Sequence, residues 1–169
     1  MDGAAEVMAG ALAAHLGNRK RRLAFGEDPL FFRIHDSGDF TFSPNTYLLW
    51  KLVAEDPRMS AVSFWAPTRM WVFPQFRRIV SENPPPENMS LRPSALHFND
   101  LAPGIDGFHA GSTAHTKGTD PVRDGIAQWV CPAYQHDGKS CAGGGGPQRE
   151  KDCRACWSYK DTEVSYLVH

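Results

Sequence analysis

The stretch Leu30-Phe31-Phe32-Arg33-Ile34-His35-Asp36-Ser37-Gly38-Asp39 sets a short apolar run with β-forming residues directly against a loop of acids, a hydroxyl, an imidazole and a glycine. A run of this length, bounded so abruptly, reads as a buried strand that empties into a polar loop. Before it, Ala4, Val7, Met8, Ala11, Leu12 and Leu16 recur at three- and four-residue spacing, which predicts an amphipathic helix reaching Arg22. After it, Ser43 supplies an N-cap and Pro44 the first helical position. Tyr47, Leu48, Leu49, Leu52 and Val53 then continue at helical spacing until Asp56-Pro57.

The same order of elements repeats. Ala61 to Ala66 reads as a second strand ending in Pro67-Thr68-Arg69. Phe73, Phe76, Ile79 and Val80 predict a third helix that must stop before Pro84. Leu91 to Phe98 reads as a third strand ending at Asn99-Asp100, although Pro93 weakens it. Strand, polar loop, helix, strand is the grammar of right-handed parallel crossovers. Beyond residue 100 the period fades: Gly104 to Gly125 reads mostly as loop with a short strand at Gly107 to Ala110, and short strands follow at Ala127 to Val130 and Val164 to Val168. The expected fold is therefore α/β, a partial, mostly parallel barrel-like or open βα-repeat sheet with an irregular, cysteine-rich, metal-binding C-terminal segment. One domain spans 1–169, with a βα-repeat core over 1–100, a loop-rich connection over 101–126 and the cysteine-rich tail over 127–169.

Composition supports one sizeable core: 169 residues, 41% of them apolar. A formal net charge of -1 gives no global argument for nucleic acid or membrane. Arg19-Lys20-Arg21-Arg22 is a local basic run of the kind that usually marks a solvated helix end. Met8 to Leu16 is apolar but short, and its positive charges follow it, the wrong order for a secretory signal; no segment is long enough to span a bilayer. A cytoplasmic, reducing setting is the resulting expectation, and it disfavours disulfides.

In an α/β arrangement ligands bind beyond the carboxyl ends of the strands. The residues there are unusually polar: His35, Asp36, Ser37 and Asp39 after the first strand, Thr68 and Arg69 after the second, His97, Asn99 and Asp100 in or after the third, then His109, Ser112 and His115. The first four are the catalytic candidates, because an acid, a base and a hydroxyl together can move protons or hold a metal or a phosphate. Thr68, Arg69 and His97 are the ligand-binding candidates. The competing reading of such histidines is an ordinary hydrogen-bonded rim. Ser37 lacks the Gly-x-Ser-x-Gly context of a nucleophile elbow, and Gly143 to Gly146 lacks the Gly-Lys-Ser/Thr of a phosphate loop. Phe64, Trp65, Trp71, Phe73 and Phe76 read mostly as core, with some available for a stacking surface.

Cys131, Cys141, Cys153 and Cys156 are the four cysteines, all crowded near the C-terminus, the last two as Cys-x-x-Cys. Two thiolates spaced by two residues bite one ion from a tight turn, and a second pair completes a tetrahedron. Gaps of nine, eleven and two residues match neither a standard zinc-finger spacing nor the compact ferredoxin run. Zinc is the expected metal, with an iron–sulfur cluster as the alternative that uses the same ligands; His136 or His169 could replace a cysteine.

Taken together, Arg33-Ile-His-Asp-Ser-Gly-Asp-Phe40, the aromatic-rich helix, the strand leading to Thr68-Arg69, Cys131-Pro132-Ala133, Cys153-Arg-Ala-Cys-Trp157 and the closing Val164 to His169 resemble the phage gene-product-88-like proteins. The resemblance covers roughly residues 31 to 70 and 127 to 169 and implies no settled activity. Members of that family look as if they carry a further cysteine-rich segment ahead of the first helix, which invites comparison with radical S-adenosylmethionine barrels. This chain has no cysteine before Cys131 and an insertion between Cys141 and Cys153. If radical chemistry needs that N-terminal segment, the resemblance implies a truncated or repurposed version whose remaining cysteines are structural or auxiliary; the polar residues after successive strands give the expectation of an enzyme or enzyme remnant on a partial barrel. The alternative is a zinc-stabilised module binding nucleic acid or a protein through Arg19 to Arg22, Arg77, Arg78, Arg149, Lys151 and Arg154.

Overall fold

The computed structural model describes residues 2–22, 30–35, 39–40, 44–131, 155–158 and 160–167. Helix α1, Asp2–Arg22, leads to strand β1, Leu30–Arg33; α2, Pro44–Glu55, leads to β2, Val62–Thr68; and α3, Pro74–Glu82, leads to β3, Met89–Pro93. These strands form one sheet in the order β1-β2-β3. Both pairings are parallel, with Arg33 beside Trp65 and Trp65 beside Ser90. A second parallel sheet holds β4, Ser112–His115, β5, Trp129–Val130, and β6, Val164–Leu167, with β6 in the middle; the short helix α4, Ala155–Ser158, precedes β6. One parallel bridge, Ser94 to Ser112, joins the sheets, and neither sheet closes into a barrel.

The period of two in the strands divides their side chains between two environments. Phe32, Ile34, Phe64, Ala66, Met89 and Leu91 pack against the helices in the main core, with Tyr47 and Val53 from α2 and Phe76 and Val80 from α3. Each large apolar side chain buried there contributes about 1.5–3 kcal/mol. On the other face, Trp65 joins Ala155, Cys156, Trp157 and Val164 in a second cluster, with Phe31 and Tyr166 packed against it. The helices cover one face of the first sheet, and the cysteine-bearing α4 approaches the other.

Three expectations shift. The buried face of α1 is Ala5, Ala9 and Leu16, with Met8, Leu12 and Ala13 beside it, whereas Val7 is 72% exposed. In an alanine-rich helix, side-chain size alone does not single out the inward stripe. The third strand ends at Pro93, so Ser94 to Phe98 belong to a connection and not to the sheet. Proline can close a strand but cannot donate to a continuing ladder. The next strand is Ser112–His115, not Gly107 to Ala110. Gly111 is required just before it, because a Cβ there would stand 2.2 Å from that of Ala102. Among the described residues no helix is long and apolar enough to cross a membrane.

Candidate functional site

Strand β1 ends at Arg33, and Ile34 buries its side chain in the core, which turns His35 toward the carboxyl edge of the sheet. His35 takes a left-handed backbone with φ of 59°, uncommon for a residue with a side chain. Its ring meets Phe40 edge-on at 4.8 Å. Its Nε2 is buried and has no hydrogen-bond partner among the described residues. Burial lowers its pKa, with the nearby Asp39 carboxylate opposing.

Asp39 is the hinge pin of the rim. Its Oδ1 accepts from the Phe40 N–H at 2.7 Å and from the Thr68 hydroxyl at 2.5 Å, and its Oδ2 accepts from the Arg69 N–H at 2.6 Å. The Thr68 oxygen in turn accepts from the Met70 N–H at 3.0 Å. The carboxylate ties the loop after β1 to the end of β2, and three of its roughly four lone-pair sites are used in doing so. This geometry suits a positioning residue. Arg69, fixed at its backbone by Asp39, donates its Nε to Ala95 O at 3.3 Å.

These residues edge an open cleft of about 860 Å³ whose lining comes from both sheets. Arg33, His35, Asp39, Thr68 and Arg69 supply one side; Ser112, Thr113 and Leu167 come from the second sheet. Trp65, Trp157, Phe31 and Tyr166 give the cleft an aromatic wall. Trp157 meets Phe31 at 5.4 Å and Trp65 at 5.3 Å, both edge-on, while Trp65 and Tyr166 lie 5.9 Å apart at 31°. Arg33 stacks its guanidinium 4.7 Å over the Trp65 ring centre. The structure thus brings together His35, Asp39, Thr68 and Arg69. It places His97 elsewhere: that side chain is exposed in the connection after β3 and does not line the cleft. Asp36 and Ser37 lie outside the described residues.

Arg92, absent from the candidates read from the sequence, is fully buried behind this wall. Its guanidinium donates to four backbone carbonyls: Ala110 at 2.8 Å, Thr162 at 2.7 Å, Cys156 at 3.1 Å and Ala155 at 3.2 Å. The fork therefore gathers the connection before β4, the short helix α4 and the turn before β6 onto β3. The visible signal was an arginine set between buried Leu91 and Pro93 inside a strand.

Of the cysteines, Cys131 and Cys156 fall among the described residues and both are buried; Cys141 and Cys153 lie outside them, as do His136 and His169. Cys131 follows β5 and donates its N–H to Ser165 O at 2.8 Å. Cys156 Sγ lies 2.9 Å from the Tyr166 hydroxyl. Burial raises the Tyr166 pKa, with Cys156 adding to the shift. Among the described residues no group of three or more histidine, cysteine or acidic side chains is placed to hold a metal ion.

The remaining titratable groups read as structural. His115 Nδ1 and Ser165 Oγ pair at 2.7 Å, both buried in the second sheet, and His109 Nδ1 accepts from the Leu91 N–H at 3.1 Å. Arg77 and Arg78 border a separate depression of about 420 Å³ that also contains Asp106, and Arg78 pairs with Glu82 at 3.2 Å.

Burial lowers the pKa of His35, His109 and His115 alike from the ordinary 6.5. Below that value the unfolded chain takes up protons that the folded chain resists. The stability these groups give is thus complete above about pH 6.5 and is lost as pH falls through their folded values. Glu163, whose pKa burial raises from 4.5, acts oppositely, giving stability at low pH that is lost as pH rises through its folded value, but among the described residues it is one group against three histidines. The melting temperature is expected to fall between about pH 7.5 and pH 5.5; calorimetry showing a level or rising profile would refute this.

No curated protein and no solved structure matches this chain. A family model described as Gene product 88 does match, over residues 2–159, a span that takes in α1, the rim and the cleft wall up to α4. The chain belongs to the Gene product 88 family.

Proposed function

We propose that this chain binds a small molecule in the cleft at the carboxyl edge of its strands, and that a metal ion held by Cys131, Cys141, Cys153 and Cys156 fixes the segment forming the inner wall. The observation that carries the reading is that Trp157, next to Cys156, is itself part of the cleft lining, while Tyr166 touches both the cleft and the Cys156 sulfur. Holding the cysteines then holds the site. The two sheets, joined at the Ser94 to Ser112 bridge, act as an open, barrel-like arc around the cleft. Zinc is the ion we favour, since four thiolates satisfy it and it needs no open position in a structural site. An iron–sulfur cluster is the alternative on the same ligands. Turnover of the ligand would rest on His35, the imidazole at the rim.

Anaerobically purified protein should be colourless with one zinc per chain. Chelation, or Cys156→Ser, should release the metal and lower the melting temperature by about 10 °C or more, because the binding energy of a structural zinc is folding energy. A brown protein carrying iron and sulfide would favour the cluster, and a metal-free protein of unchanged stability would remove the metal from the reading. A panel of small neutral aromatic fragments should perturb the indole N–H resonances of Trp65 and Trp157 in the loaded protein.

A further inference from the structure

We infer that the ligand of the cleft carries a carbonyl oxygen on an aromatic body, the chemistry of an aromatic amide or lactam, and that this oxygen accepts a hydrogen bond from Trp65 Nε1–H. This rests on the reading of the cleft as the ligand seat and names the group by which the seat recognises its occupant.

The aromatic wall has three polar tips, and two of them are engaged inside the protein. Trp157 donates its Nε1–H to Phe32 O at 3.2 Å, and the Tyr166 hydroxyl pairs with Cys156 Sγ at 2.9 Å. Trp65 lines the same cleft and is 4% exposed, yet its Nε1–H is buried with no acceptor among the described residues. Buried donors in folded proteins nearly always have a partner, so one left over beside a cleft calls for an acceptor from outside the chain. Two other buried groups are unpaired, and neither dictates a ligand in this way. Ser90, beside Trp65 in the register, does not line the cleft, and His35 Nε2 donates or accepts according to its tautomer. The indole N–H only donates, so its partner must be an acceptor.

Packing around Trp65 leaves the edge of the ring, not its face, for a ligand. The Arg33 guanidinium lies 4.7 Å over the ring centre. Tyr166 lies 5.9 Å away at 31°, and Trp157 meets the ring edge-on at 5.3 Å. The chain's own groups thus take up the stacking on Trp65, and recognition falls to its N–H. That donor is closed to bulk water, so a small turn of the indole about χ2, a soft torsion, brings it to the ligand. Trp157, tied to Phe32 O, has no such freedom. A carbonyl oxygen suits an indole edge, because its lone pairs lie in the plane of the flat body that bears it. A hydroxyl would bring a hydrogen that itself needs an acceptor in the wall. The cleft, about 860 Å³, has room for an aromatic body beside Phe31 and Trp157, which offer edge and face contacts to a further ring.

The test is an NMR titration of the isotope-labelled full chain with oxindole, an aromatic lactam, and with indoline, which has a methylene in place of the carbonyl. Oxindole should bind about tenfold more tightly than indoline, the loss expected when a buried donor goes unmatched. It should also move the Trp65 indole N–H resonance downfield, with a smaller change at Trp157, whose N–H is already engaged. Trp65→Phe keeps an aromatic ring and removes the donor, so it should bring the two fragments to within about twofold of each other. The first two readouts need no variant and decide the matter even where Trp65→Phe lowers the melting temperature. Equal binding of the two fragments, or a preference that survives in Trp65→Phe, would overturn the assignment and leave the cleft as a ligand seat. So would a Trp65 resonance that stays still while oxindole binds, which would mark the N–H as held by enclosed water shared with Ser90. If neither fragment binds, the ligand-seat reading falls as well.

Discussion

Arg92→Ala is expected to destabilise the chain by about 4 kcal/mol, seen as a fall of roughly 10 °C in melting temperature for a domain of this size. The side chain is fully buried and serves four carbonyls drawn from three separate segments. A carbonyl left buried without a donor costs about 1–3 kcal/mol. The segments would relax and admit water, so the four losses do not add in full. Burial also lowers the arginine's pKa, and the carbonyl dipoles offset that desolvation. Arg92→Met separates two explanations, because it keeps much of the volume and removes every donor. If hydrogen bonding is what matters, Arg92→Met will be nearly as unstable as Arg92→Ala; recovery to the parent melting temperature would make the residue a packing element. Since Ala155 and Cys156 are among the carbonyls it holds, either variant should also weaken retention of the proposed metal.

Where side-chain character and environment agree, the chain could be read directly. The runs Leu30 to Ile34 and Ala61 to Ala66 are apolar, short and punctuated by polar loops, and they are parallel neighbours in the sheet. Pro44, read as the first helical position, opens α2. Strand β4 could not be found this way, because Ser112-Thr-Ala-His115 carries no hydrophobic period. It is buried nonetheless, since its polar groups are satisfied locally: Thr113 Oγ1 donates to Asp100 O at 2.6 Å and His115 pairs with Ser165. The candidate site was legible as a set of strand-end residues. His35, Asp39, Thr68 and Arg69 do meet at one edge, because parallel strands place equivalent ends together. His97 was assigned by extending β3 past Pro93, and the error follows from that one boundary. The cleft's other half was beyond reach of any local pattern. Trp157 and Tyr166 reach Trp65 from about a hundred residues further along the chain, through a tertiary contact that no spacing rule encodes.

Asp39→Ala is the second large effect, about 2–3 kcal/mol, and it decides what kind of residue the rim contains. A carboxylate accepting three hydrogen bonds loses all of them on truncation, and bonds to a charged group are worth about 1.5–3 kcal/mol each when buried. This site is only partly buried, so solvent takes up part of that loss. Asp39→Asn keeps the shape and one acceptor oxygen but turns a donor toward the Arg69 N–H, so it should cost about half as much. Thr68→Val removes the hydroxyl that donates to Asp39 and accepts from Met70 N–H, for a cost of about 1–2 kcal/mol. The double variant should be less unstable than the sum of the two by about 1 kcal/mol, because both single changes break the same contact. Urea denaturation of the four proteins reads this coupling directly. A catalytic carboxylate would behave otherwise: its removal would leave the melting temperature nearly unchanged and act on turnover alone. If Asp39→Ala is as stable as the parent, the clamp does not hold the rim and Asp39 returns to the chemistry. If it is destabilised and coupled to Thr68, its effect on ligand affinity arises through Arg69, whose backbone it holds, and should be reproduced by Thr68→Val at a site that bears no charge.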